Sequence, residues 1–115
     1  DGAERREEAI ILLKNYIESN FNNDRVILLG DLNDNLSDPE NFNVFLPFLN
    51  DRDSYIFVDE FFNVDNYSYP SYPSHIDHIL ISHNLLKKMK GVGIDYIARG
   101  MEKPSDHCPV WIELV

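Results

Sequence analysis

The chain has 115 residues, 43% of them hydrophobic, and its 20 acidic against 10 basic side chains leave a net charge of −10. This is the composition of a folded domain, or part of a larger one, and not of a disordered segment. The acidity argues against a broad basic face for nucleic acid, since Lys and Arg supply most non-specific affinity for phosphate backbones. It leaves phosphate chemistry open, because a bound cation supplies positive charge locally. Cys108 is the single cysteine, so an intramolecular disulfide and any multi-cysteine zinc site are excluded. No apolar run approaches the length of a membrane span, and the opening DGAERREE is not a signal peptide. A soluble chain is expected, with a removed leader or preceding segment allowed for. Its compartment is open, secreted and periplasmic locations included.

In chain order, Ala9, Ile10, Leu13, Tyr16 and Ile17 recur at helical spacing behind Glu4, Glu7 and Glu8, whose charge complements a helix N-terminus. An amphipathic helix is predicted from Ala3 to about Ser19, its glutamates on a solvated face. The continuous apolar run from Arg25 to Leu29 predicts a strand covered on both faces. Gly30 to Asp38 is turn-rich and reads as the loop leaving that strand. Phe42, Phe45, Leu46 and Leu49 suggest a short helix, to which Pro47 objects. Ser54 to Val58 is either a short strand or the close of that helix.

Asn63 to Ser74 is a loop rich in Tyr, Ser, Asn and Pro. A strand is predicted at Ile76 to Ile81, then a turn from His83 to Met89 with Ser82 as N-cap. Two more strands are expected at Gly93 to Ala98 and Pro109 to Val115. No repeat or domain boundary interrupts the chain. The sum is α/β: a mixed, mainly antiparallel sheet with helices packed on one face.

Three polar clusters close apolar strands: Gly30 to Asn33 (GDLN), Ser74 to His78 (SHIDH) and Ser105 to His107 (SDH). Sites in α/β proteins gather at strand ends, where side chains converge without disrupting a core. Carboxylates with room for water suit Mg²⁺ or Mn²⁺. A His paired with an Asp is fixed in tautomer and, as an imidazolium, holds or protonates a phosphoryl oxygen. An Asp and an Asn two apart on an extended segment point the same way, one to accept a proton from water and one to donate hydrogen bonds. That set suffices for metal-assisted hydrolysis of a phosphate ester. Singly each cluster is weak, since Asp and Asn are common turn residues and Ser-Asp-His also caps; only the ordered combination carries weight.

VILLGDLN at 26–33, SHIDHILIS at 74–82 and SDHCPV at 105–110 resemble, in order, the last three signature motifs of the endonuclease/exonuclease/phosphatase superfamily. The leading helix resembles the one before the family's Gly-Asp-x-Asn strand, so the likeness spans nearly the whole chain. The resemblance implies that Asp31 positions or deprotonates the attacking water and shares in binding the metal. It further implies that Asn33 contacts the scissile phosphate, Asp77 orients His107, His107 contacts or protonates a phosphate oxygen, and Asp106 is a metal ligand. The implied cofactor is Mg²⁺ or Mn²⁺, and the implied substrate a phosphate ester of a nucleic acid, nucleotide or phospholipid.

The family's fold is a two-sheet α/β sandwich of pseudo-symmetric halves, so the chain resembles the C-terminal half, lacking the half that supplies an Asn and a Glu metal ligand. Such a half leaves an inner sheet face uncovered, at about 25 cal/mol per Å² of apolar area. Self-association, loose packing or origin in a longer chain is therefore expected, and the fragment by itself is expected to be inactive. Leu32 departs from a commonly aromatic position, and His75 stands where other residues precede the Ile-Asp pair. His75 and Tyr72 are assigned to substrate binding, with Tyr67 and Tyr69 further stacking candidates. His78 is expected to be a hydrogen-bonded core residue, His83 solvated surface and Cys108 a buried inert thiol. The competing class is a non-catalytic binding module on the same scaffold.

Overall fold

The computed structural model describes residues 2–62, 67–70, 74–96 and 104–115. Helix α1 spans Gly2–Asn20. Ile10 and Ile17 are its buried residues, with Leu13 packed beside them. Tyr16 is exposed and meets Phe21 edge-on at 5.9 Å, and Ala9 is exposed as well, so the buried stripe is narrower than the spacing suggests.

Strands β1 (Ile27–Asp31), β2 (Tyr55–Phe57) and β3 (Asp77–Ser82) form an antiparallel sheet in the order β1-β3-β2. Strand alternation divides its side chains between two layers. Leu28, Leu80, Tyr55 and Phe57 face Ile10, Ile17, Phe45 and Phe48 on the helical side. Ile56, Ile79 and Ile81 face the opposite side, against Val92, Val110 and Ile112 of a second sheet. That sheet is the hairpin-like pair of β4 (Met89–Ile94) and β5 (Val110–Leu114). Every strand pairing among the described residues is antiparallel. The molecule is thus an α/β sandwich in miniature, with helices on one face of the central sheet.

The expectation that β1 is covered on both faces fails. Ile27 and Leu29 are exposed, Leu29 to 64%, because β1 is the sheet edge and the second sheet covers β3 instead. Among the described residues this face of the sheet is open at Ile27 and Leu29. Burying Ile79 and Ile81 under the second sheet contributes roughly 1.5–3 kcal/mol per side chain.

Helix α2 is a single turn, Leu46–Leu49, and Pro47 fits because its missing N–H falls where the helix needs none. Phe42 is 70% exposed, while Phe48 takes the core position beside Phe45. The 54–58 segment resolves as strand at Tyr55–Phe57, and a 3₁₀ helix, His83–Lys88, follows β3. Ser82 does not cap that helix through its side chain. Its hydroxyl accepts the Val26 N–H at 2.9 Å and donates to Asn84 Oδ1 at 2.6 Å, fastening β3 to the entry of β1.

The strand expected from Gly93 begins earlier, at Met89, while Ile97 and Ala98 lie outside the described residues. Glycines weaken a strand reading of the 89–94 run, but here they make room for Trp111. A Cβ at Gly93 would lie 2.6 Å from the indole.

Candidate active site

The register of β1 on β3 sets Asp31 directly opposite Asp77, both on the face that looks toward the second sheet. Gly30 precedes Asp31 at φ 150°, a backbone conformation that a side chain strains. After Asp31 the chain turns instead of extending. Asn33 takes φ 55°, and its backbone N–H donates to Asp31 Oδ1 at 3.0 Å. The alternation that would align the Asp31 and Asn33 side chains therefore does not hold, although both are exposed at the same mouth.

The third cluster arrives from the loop before β5. Asp77 Oδ2 lies 2.7 Å from His107 Nδ1, and the other ring nitrogen, Nε2, lies 3.8 Å from Asp31 and 3.9 Å from Asp106. Asp77 accepts from Nδ1–H and so fixes the ring's orientation. The Asp77 hydrogen bond, with the charges of Asp77, Asp31 and Asp106 beyond it, raises the His107 pKa above its ordinary 6.5 despite some desolvation. A cleft of about 280 Å³ opens beside this group, lined by Leu29, Asp77, Ser105, His107 and Pro109 among others.

Two positioning residues carry no motif signature. Ser68, fully buried, accepts the backbone N–H groups of Ile76 and Asp77 on its hydroxyl at 2.9 and 3.1 Å, while its carbonyl accepts the Cys108 N–H at 2.7 Å. One serine thus ties the Asp77 strand to the His107 loop. Tyr69 stacks on His107, ring centroids 4.9 Å apart and 29° between planes. The aromatic loop signalled a stacking partner, but not that one partner would be the imidazole itself. Tyr72 lies outside the described residues.

His75 does not join this group. Its Nε2 lies 2.8 Å from Asp59 Oδ2, and its ring stacks parallel on His78 at 5.1 Å. His78 is buried as expected, with Nδ1 2.6 Å from Asp59 Oδ2 and Nε2 2.6 Å from the Asp34 carbonyl oxygen. Burial alone would raise the Asp59 pKa, but the short contacts from both histidines and the Ile79 N–H outweigh it and hold the carboxyl down at about 2. Asp59, at the end of β2, was missed because an aspartate after a short strand looks like an ordinary turn residue. Cys108 is buried and free, and His83 is exposed.

Convergent carboxylates surround a hydrogen-bonded imidazole at the open edge of the α/β sandwich, a set of donors and acceptors of the kind hydrolytic sites use. Residues 1–107 match the Endonuclease/Exonuclease/phosphatase family, and the chain belongs to it. A 38-residue stretch is 55% identical to exodeoxyribonuclease III of Haemophilus influenzae, covering 33% of this chain and 14% of that protein. The matched stretch thus spans a small fraction of the relative's length. Among the described residues no helix is long and apolar enough to cross a membrane.

Proposed function

We propose that the complete protein hydrolyses phosphate esters with the help of a divalent metal, nucleic acid being the first substrate class to test. The observation that carries this reading is the Asp77–His107 pair at 2.7 Å with Asp31 beyond the far ring nitrogen. Asp77 holds the ring and favours its cationic form, so His107 offers Nε2–H to a phosphoryl oxygen and stabilises the charge that develops on it. Asp31, exposed and held near Asn33 by a backbone N–H, accepts a proton from an incoming water. Asn33 offers its amide to a phosphate oxygen. Tyr69, stacked on His107, limits the ring's movement and widens the apolar platform beside it.

Asp31 and Asp106 suit a hard cation: both are carboxylates flanking His107 Nε2, and hard oxygen donors match Mg²⁺ or Mn²⁺. Held there, such an ion would supply Lewis-acid polarisation of the phosphoryl group and offset the local negative charge. Relationship to a family member named exodeoxyribonuclease III supports nucleic acid as substrate. The net charge of −10 favours a substrate gripped through the metal and a few contacts over one gripped along its backbone. The chain is read as the C-terminal half of its domain, with the remaining ligands on the other half.

The test is turnover of the complete protein on duplex DNA, single-stranded DNA, a nucleotide and a phospholipid in Mg²⁺, with His107→Ala alongside. DNA cleavage is expected, falling by about 10²–10⁴-fold in the variant. Unchanged turnover in His107→Ala would sink the assignment, and cleavage of the lipid in preference to DNA would replace the substrate class.

A further inference from the structure

Behind the strand-mouth site, on the helical face of the same sheet, Asp59, His75 and His78 bring three potential ligand atoms within 4.8 Å of one another. The Asp59 side chain is wholly buried, that of His78 is 1% exposed and that of His75 16%. We infer that this cluster is a second metal site, a two-histidine, one-carboxylate centre for Zn²⁺ distinct from the site at Asp31 and Asp106. The inference does not rest on the phosphoesterase reading.

The bonding of His78 is the first reason. A carbonyl oxygen only accepts, so the 2.6 Å contact with the Asp34 carbonyl puts the proton on Nε2. In a neutral ring Nδ1 is then a lone pair, and it faces the carboxylate Oδ2 of Asp59 at 2.6 Å. Two acceptors at that distance require a cation between them. A proton serves that one contact. It does nothing for His75, whose buried Nε2 lies 2.8 Å from the same oxygen yet makes no hydrogen bond, so the contact is off the ring N–H axis. The two rings stack, parallel within 5° at 5.1 Å, with a nitrogen of each within 2.8 Å of that one oxygen. A single metal ion satisfies all three atoms with both imidazoles neutral.

The surroundings are those of a metal centre. Ligating histidines usually donate their other N–H to a carbonyl or carboxylate, as Nε2 of His78 does to Asp34. The second carboxylate oxygen of Asp59 accepts the Ile79 N–H at 2.8 Å, which fixes the carboxylate plane. Phe45 and Phe57 pack edge-on to His78, and Phe62 lies 5.5 Å from His75, so rotation of either ring is limited. Two nitrogens and one oxygen match the ligand preference of Zn²⁺, with water in a fourth position, and not the all-oxygen octahedron of Mg²⁺. Tetrahedral Zn²⁺ separates its ligand atoms by about 3.3 Å, so the 2.6 and 2.8 Å contacts open by about 0.5–0.7 Å on binding. The ion would fasten the end of β2, the mouth of β3 and, through His78, the loop that follows Asp31.

The experiment uses the complete protein, prepared without a histidine tag, carrying Asp31→Asn and Asp106→Asn to remove the other site's carboxylates. After chelator treatment it is dialysed against limiting Zn²⁺ in excess Mg²⁺, and its metal content and melting temperature are measured. Expected are a single retained Zn²⁺, a melting temperature raised by about 5–10 °C with free Zn²⁺ a hundredfold above Kd, and loss of both with His75→Ala. Retention of the same Zn²⁺ by His75→Ala, or no melting shift in the parent protein, overturns the inference. Should His75→Ala not fold, Co²⁺ in the parent decides. An intense tetrahedral visible spectrum supports the site, and a pale octahedral one, or none, overturns it.

Discussion

Asp77 and His78 are neighbours on β3, and strand alternation sends them to opposite faces of the sheet, each into its own aspartate–histidine group. On one face Asp77 pairs with His107 at 2.7 Å, with Asp31 and Asp106 about it, and every member touches solvent. On the other His78 and His75 close on Asp59, whose carboxylate sees none. The same residue types in similar geometry therefore answer to different physics. In the open group the surplus of carboxylates over histidine raises the imidazole pKa, and water screens the charge. In the closed group two histidines share one carboxylate, and Asp59 is held down at about 2. An exposed pair is free to exchange protons and bind ligands, whereas a buried one is bound to stability through the cost of an unpaired charge.

The contrast is broken most forcefully at Asp59. Replacing it with Ala leaves two buried imidazoles without their anion, and the expected loss is about 3–5 kcal/mol in urea denaturation. A loss below about 1 kcal/mol would mean that the buried group is no more committed to the fold than the exposed one. Acid titration examines the same residue by another route. A carboxyl held at about 2 against an ordinary 3.8 contributes stability that is complete above pH 4 and lost as the pH falls through 2, about 2 kcal/mol in all. Melting temperature between pH 5 and pH 2 should drop steeply in the parent and much less in Asp59→Asn.

Ser68→Ala sharpens the comparison from the side that links the two faces. Two buried backbone donors lose their acceptor, with an expected destabilisation of about 1–3 kcal/mol and a looser Asp77–His107 pair. Denaturation and amide exchange at Ile76 and Asp77 measure it. The smallest stability change belongs to Asp77→Asn, under about 1 kcal/mol for a half-buried pair that solvent still reaches. In that variant the His107 pKa falls back toward 6.5, read by NMR titration, and turnover drops. The sign follows from the raised value: the interaction is intact below pH 6.5 and is lost as pH climbs through the folded pKa. A variant that melts early but keeps the raised pKa would reverse the roles drawn for the two groups.

The open group was legible because its residues sit in short contiguous motifs at strand ends. Asp31, Asp77 and His107 meet there, with Asp106 3.9 Å from the imidazole. Reading Asn33 as an extended neighbour of Asp31 failed because a left-handed turn follows the strand, which alternation cannot anticipate. The closed group was not legible. Asp59 lies 16 residues before His75 in the sequence and becomes its partner only when β2 pairs with β3. Ser68 was hidden similarly, inside a loop whose composition signals turns but not which strand it clasps, while Tyr69 was legible as a stacking residue but not as the partner of His107.

By itself, then, the sequence placed most of the elements and set the polar clusters of the mouth at strand ends: local hydrophobic periods and short polar motifs depend on neighbours along the chain. Only the tertiary structure decided which face of β1 is covered, where His75 points and which aspartate His78 meets. Those outcomes depend on which strand takes the sheet edge and on contacts between distant residues, and both are settled by burial and hydrogen bonding across the assembled layers.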